Sequence, residues 1–428
     1  MPGCPVDVAE RPVPTTLLTP EALQDPFEIY KRLRAEQPVA FVAEQNFWLV
    51  TRYNDCEYIL LHPEKFSSRE AVSSTNAYRR SPEALQILSG SKGHPRARTL
   101  IMSDPPEHTR YRAVLQRALS PGKTLRQLTP RMQSIIDDLI DGFTERGECE
   151  FVREFAYPLP MRVVAMILDV PPDQIGMLKA WSDDFISVQA GNIPVERIVD
   201  AARHTIEFED YILSKIDERR RAPRDDFLGR LIEEHEGEQP LTTQELLNFA
   251  LQILIGGNET TTNFLGNGMY VLLRRPALVT ELQREPDRIS ELVEEILRYE
   301  SPLQGLFRVA LDEHDFDGVR VPKGAKLMLS FGSANRDEIC YGDGEFDPHR
   351  DNRTTVHLAF GRGIHACAGQ AFARREGVLA FETLIRRLPD LHLSPSRPLQ
   401  RQTLFSLRGM KELYLEFTPA PRLHASST

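Results

Sequence analysis

Residues 359–377 read AFGRGIHACAGQAFARREG. Gly361, Gly363 and Gly369, a histidine and a single cysteine are crowded ahead of a run in which Phe372, Leu379, Phe381, Leu384 and Ile385 carry the pattern of an amphipathic helix. Cys367 therefore sits beside the free amides and positive dipole end of a helix, and both favour a thiolate. Gly361 and Gly363 lack Cβ atoms and allow a tight loop against a flat ligand, while Gly369 lets the first helical turn come close.

One isolated thiolate in an apolar loop suits an axial ligand of haem iron, where thiolate donation favours cleavage of an O–O bond. Taken alone, a lone cysteine is usually a small buried hydrophobe, and His365-x-Cys367 is weak evidence for zinc because two further ligands are not evident. The five cysteines (Cys4, Cys56, Cys149, Cys340, Cys367) are scattered and form no Cys-x-x-Cys pair. Neither a disulfide framework nor a thiolate zinc site follows.

The chain has 428 residues, 41% hydrophobic and 27% charged, with 52 basic against 62 acidic residues and a net charge of −10. That balance argues against a general nucleic-acid or anionic-membrane binder. No basic leader with an apolar run opens the sequence, and no stretch holds the roughly 18 apolar residues of a membrane span. A cytoplasmic protein is expected. Without repeats, low-complexity tracts or a long linker, residues 1–428 read as a single domain, large enough to surround a cofactor, with poorly ordered tails at 1–20 and 418–428. Alternating runs at 38–52, 315–331 and 411–417 read as strands and most of the remainder as helix, so the class is mainly α with small β-sheets.

The longest helix opens on a capping box, Thr242-x-x-Glu245, and continues until Arg274, Arg275 and Pro276 stop it. About 32 residues would span about 48 Å. Its centre, Gly256, Gly257, Asn258, Glu259, Thr260, Thr261, Thr262, is poor in helix formers, and two glycines cost about 1 kcal/mol each relative to alanine. Either something approaches the backbone there, or the hydroxyls bond back to the preceding turn in a tolerated kink.

Phe360-Gly361-x-Gly363-x-His365-x-Cys367-x-Gly369-x-x-x-Ala373-Arg374 resembles the haem-ligand loop of the cytochromes P-450, the haem-thiolate monooxygenases. Gly256-Gly257-x-Glu259-Thr260-Thr261 resembles that family's oxygen-activating stretch, and Glu295-x-x-Arg298 with Phe346-Asp347-Pro348-x-Arg350 resembles its structural triad. The run from Asp104 to Arg112 resembles the bacterial-type C helix, and Arg308 stands where the family has an arginine near a haem propionate. The resemblance implies a P-450 fold, a triangular prism with a long central helix over a buried haem b. It implies Cys367 as the iron ligand, Phe360, Gly361 and Gly369 around the haem, and His108, Arg112, Arg308 and His365 for the propionates. Glu295, Arg298 and Arg350 are implied as scaffold. Glu259 and Thr260 are implied as the acid and alcohol that deliver protons during oxygen activation.

The implied reaction inserts one atom of O2 into an apolar or amphipathic small molecule, by hydroxylation or epoxidation. Peroxide-driven oxidation or isomerisation at the same haem, and a non-enzymatic haem sensor, are the alternatives. By family position the pocket draws on residues 70–103, on 185–193, and on Ile255, Asn258, Gln304, Leu306, Phe307, Phe405, Ser406 and Leu407. With no dinucleotide-binding fingerprint and no iron–sulfur cysteine cluster, electrons must come from outside the chain, and the resemblance implies a separate acidic ferredoxin and its reductase as their source. Arg110, Arg112, Arg117, Lys123, Arg126 and Arg362 are read as a basic face for that partner, with reduction steeply salt dependent. A monomer is expected.

Overall fold

The alternating run at 38–52 folds back on itself instead of forming one strand. Val39–Val42 and Phe47–Val50 pair antiparallel across a turn at Ala43–Gln45, and Asn46 takes a left-handed φ of 52°, a conformation asparagine tolerates. The computed structural model describes residues 19–69, 77–93, 100–190, 193–235, 240–350 and 355–423. The chain divides into two compact units.

The first unit comprises Met1–Ala71, Glu294–Ala366 and Arg401–Gly409. Its five-stranded sheet runs Val39–Val42, Phe47–Val50, Lys326–Ser330, Gly305–Ala310, Phe66–Ser67. Phe47–Val50 and Lys326–Ser330 are parallel and the other pairs antiparallel. All four residues of Phe47–Val50 are buried, which is why FWLV is continuously apolar where a one-sided strand would alternate. Trp48, Val50, Leu327, Leu329 and Phe66 join one hydrophobic cluster with residues of the Tyr53–Leu61 helix. Within the run at 315–331, Pro322–Gly324 turns the chain between strands Val319–Val321 and Lys326–Ser330, with Gly324 at φ 80°.

Two buried ionic networks stiffen this unit. Arg298, fully buried, grips Glu295 with both arms of its fork, Nη2 to Oε1 at 2.6 Å and Nε to Oε2 at 2.8 Å. Its remaining donors reach the carbonyls of Asn335 and Glu345 at 2.6 Å each. Arg350 joins by donating to Glu345 O at 3.0 Å and Tyr341 O at 2.7 Å, with Glu295 3.9 Å away. The second network has no signature in the sequence: Glu300 meets Arg408 at 2.6 Å, Arg336 at 3.3 Å and Arg401 at 3.5 Å.

Burial alone would push the Glu300 carboxyl up, but the three arginines together pull it down to about 2. A folded-state value below the ordinary one contributes stability that is full above the unfolded value and lost as pH falls through the folded one. On the order of 3 kcal/mol should therefore disappear between about pH 4.5 and pH 2. Urea unfolding at pH 5 and pH 3 should show about 2 kcal/mol of that loss, and Glu300→Gln should flatten that part of the acid slope.

The second unit comprises Val72–Val293, Cys367–Gln400 and Met410–Thr428. Its spine is the helix Thr243–Leu273, 31 residues long, capped as the sequence predicts: Thr242 Oγ1 accepts from Glu245 N and Glu245 Oε2 accepts from Thr242 N. The helix is continuous through its glycines. The Gln370–Arg387 helix packs on it edge to face, Phe381 against Phe264. Glu148–Glu150, Tyr414–Glu416 and His392–Leu393 form a three-stranded sheet.

Residues 418–423, expected as part of a loose tail, are tied down: Thr418, Ala420 and Leu423 donate backbone hydrogen bonds to Pro389 O, Thr144 O and Asp141 Oδ1. The tail residues 1–18 and 424–428 lie outside the described residues. Among the described residues, no helix is long and apolar enough to cross a membrane.

Candidate functional site

The 18-residue helix Gln370–Arg387 begins three positions after Cys367. The Gly369 and Gln370 amides face the thiol, and Arg112, from the helix Glu107–Leu119, and Arg374 add positive charge. Cys367 is exposed, unlike Cys56 and Cys149, which are buried. The amides favour a thiolate as expected, but they do not act alone. Crowding by surrounding protein pushes the Cys367 thiol up, and the amides and guanidiniums offset this only in part. The net shift of the free thiol is thus upward, and a bound metal would favour its deprotonation.

In the first unit, the loop before the cysteine depends on glycine. Gly361 and Gly363 have φ of 65° and 67°, and a Cβ at Gly363 would stand 2.6 Å from Leu60 O. Side chains rarely adopt that backbone region, so the turn requires both residues. Phe360 ends the short helix Leu358–Phe360, and His365 is partly buried. Arg308, buried on the strand Gly305–Ala310, donates to Phe307 O at 2.8 Å. His108 and Arg112, in the second unit, are buried and half-buried on one helix.

The two central glycines of the long helix have different roles. A Cβ at Gly257 would lie 2.8 Å from Val164, so this glycine lets the helix Pro158–Leu168 approach, whereas Gly256 faces open space. Thr260 Oγ1 donates back to Gly256 O at 2.9 Å, the bland alternative for a hydroxyl in this position. Glu259 Oε1 accepts from Asn263 Nδ2 at 3.5 Å.

Several pocket expectations change. Asn258 is fully buried, with its amide nitrogen 3.4 Å from Ser182 Oγ, so it joins two helices and is no open wall. Gln304 is buried and bonds backbone: its Nε2 donates to Ser301 O and its N–H to Ser406 O. Phe307 and Phe405 flank Phe47 at 5.4 and 5.8 Å. Leu306 and Leu407 are partly buried, Ser406 is exposed and Ile255 is partly buried on the long helix. Of the expected 70–103 and 185–193 segments, residues 70–76, 94–99 and 191–192 lie outside the described residues.

The basic face is also revised, because most of its charge is used within the chain. Arg110 bonds Glu245 at 2.7 Å, Arg117 grips Glu234 at 2.6 Å, Lys123 pairs with Asp225, and Arg362 with Glu57 at 2.8 Å. Arg126 is exposed. Sequence reading also missed Glu376, a buried carboxyl on the thiol's helix that burial pushes up to about 8, leaving it mostly protonated at neutral pH.

The family model for cytochrome P450 matches residues 193–411. A steroid C26-monooxygenase of Mycobacterium tuberculosis is 33% identical over 401 residues, 91% of this chain and 99% of that protein. The chain belongs to the cytochrome P450 family. Among solved structures, the P450 CYP109Q5 from Chondromyces apiculatus matches with a TM-score of 0.81 and 33% identity, covering 94% of this chain and 98% of that one. CYP109E1 from Bacillus megaterium, solved with testosterone, matches at 0.79 and 31%, covering 92% and 99%.

The helix-rich architecture with small sheets is thus the P450 fold, and the chain is an oxidoreductase of the monooxygenase class. P450 enzymes carry a haem-thiolate cofactor and act on small molecules with O2. The residues present fit such a group: a cysteine thiol with accessible surface stands at a helix start, flanked by two amides and two guanidiniums.

Proposed function

We propose that this P450 holds haem b through Cys367 and inserts one oxygen atom from O2 into an apolar or amphipathic small molecule, with electrons from a separate ferredoxin and reductase. The observation that carries the reading is the exposed thiol of Cys367, placed under the Gly369 and Gln370 amides with Arg112 and Arg374 beside it. When bound, the haem supplies the oxygen-activating chemistry.

The chain's own residues position and protonate. Arg112 and Arg308 offer planar forks matched to propionate oxygens, with His108 and His365 as further donors. Phe360, Gly361 and Gly369 shape the approach to the ring, and Glu259 and Thr260 hold and pass protons. Substrate contacts fall to Ile255, Leu306, Phe307, Phe405, Ser406 and Leu407. The largely apolar side chains in that set, together with the steroid relatives, support a steroid-sized apolar substrate.

The test is turnover of testosterone under 18O2 with NADH, a plant-type ferredoxin and its reductase. One labelled atom in each product molecule supports the proposal. Product without label, or product formed with no electron donor, would favour peroxide-driven or isomerising chemistry. Because Arg110, Arg117, Lys123 and Arg362 already carry acidic partners, reduction by ferredoxin should depend only weakly on salt. Stopped-flow rates across an ionic-strength series check this, and a steep fall would return those cations to the docking surface.

A further inference from the structure

His357 stands ten positions before Cys367 and is buried, at the N-cap of the short helix Leu358–Phe360. Its side chain does the capping: Ala359 N–H donates to His357 Nδ1 at 3.3 Å. Histidine is not among the residues usually chosen for that task. Across the ring, Nε2 lies 3.2 Å from Glu294 Oε2, and Glu294 belongs to the helix Ile289–Tyr299. The imidazole also lies against Phe360, with ring centroids 5.9 Å apart.

These contacts fix where the ring proton sits. Nδ1 accepts an N–H and so carries a lone pair, which leaves the proton on Nε2, where it is donated to the Glu294 carboxylate. A proton on Nδ1 would set two donors face to face. The adjacent amide has its own anchor. Leu358 N–H donates to Asn335 Oδ1 at 2.6 Å, Asn335 Nδ2 donates to Ser301 Oγ at 2.7 Å, and Asn335 O accepts from Arg298. Gly361 N–H then closes the turn on Leu358 O at 2.8 Å. The start of the loop is thus tied twice to the buried pair of Glu295 and Arg298: through Asn335 to Arg298, and through His357 to the residue beside Glu295.

We propose that His357 is a positioning residue for the haem site: its imidazole, held with the proton on Nε2 by Glu294, caps the turn Leu358–Phe360 and so fixes the course of the loop that delivers Cys367 to the iron. It acts through Phe360, Gly361 and Gly363 and touches no reacting atom. Asn335 and His357 satisfy consecutive amides of one turn, and removing either partner strands a backbone donor.

The inference rests on the proposed ligation of haem by Cys367, so its test separates the two. The holoenzyme is labelled with 15N in its histidine rings, reduced under carbon monoxide and followed by NMR, with the His357 signals assigned by their loss in His357→Asn. Nδ1 should give the signal of an unprotonated ring nitrogen and Nε2 that of a protonated one. His357→Leu removes the acceptor. Its haem should pass to apomyoglobin about tenfold faster than wild type, the size of a lost cap. Part of its thiolate band should give way to that of haem without the thiolate, and the Ala359 and Gly361 amides should exchange faster. The side-chain oxygen of asparagine can stand where histidine carries Nδ1, so His357→Asn should keep the spectrum and lose haem within about twofold of the wild-type rate. His392→Leu is the control and should match wild type, since that ring is exposed and bonds only locally, Nδ1 to Asp390 O at 2.6 Å.

A protonated Nδ1, a His357→Leu protein with wild-type haem retention and spectrum, or a His357→Asn protein as impaired as His357→Leu would overturn the inference. Should His357→Leu fail to fold, the wild-type ring nitrogens and His357→Asn decide it. Absence of the thiolate band in the wild-type protein would instead remove the underlying reading, while the ring nitrogens still show whether the cap exists.

Discussion

Cys367→Ala should abolish monooxygenase turnover while leaving the helix Gln370–Arg387 folded. The side chain removed is small and exposed, and that helix is held by Phe372, Leu379, Phe381 and Leu384 in the core. Cys367→His is the informative companion. It returns a ligand of ordinary strength but removes the thiolate donation that favours O–O cleavage, so haem binding should recover and turnover should not. Because the protein crowded around the sulfur pushes the free thiol up, ligation and deprotonation are coupled, and haem uptake should release a proton. Haem content, turnover and proton release, measured on the three proteins, check the set.

Arg298→Ala should cost about 3–5 kcal/mol, the usual penalty for stranding one partner of a buried ion pair. Glu295 would remain wholly buried with Arg350 3.9 Å away, and the Asn335 and Glu345 carbonyls would each lose a 2.6 Å donor. Against a typical domain stability of 5–15 kcal/mol, that loss threatens folding at 37 °C. Arg298→Lys keeps the charge but not the fork, so it should recover only part of the loss. Thermal and urea unfolding of both variants measures this, and a change below about 1 kcal/mol for Arg298→Ala would contradict the pair's structural weight.

The long helix was readable from its capping box and its stop at Arg274 because caps and breakers act locally. The loop ahead of Cys367 was readable for the same reason: two left-handed positions demand two glycines. Features built from distant positions were not. Glu300 meets Arg408 across 108 positions and Tyr157 meets Asp183 across 26, with no periodicity linking either pair. The basic stripe misled because sequence shows cations but not the acidic residues folded against them, as Glu234 is against Arg117. Asn258 was misplaced for a related reason: helix position puts it near the centre, but only packing shows its amide turned to Ser182. The thiol's acidity depends on how much protein surrounds it, a quantity that helix dipole arguments leave out.

The most direct test of the account is the difference spectrum of the dithionite-reduced protein with and without carbon monoxide. The account predicts a Soret band in the red-shifted position of a thiolate-ligated haem, lost in Cys367→Ala. A band in the position of a histidine-ligated haem, or a red-shifted band that survives Cys367→Ala, would contradict it.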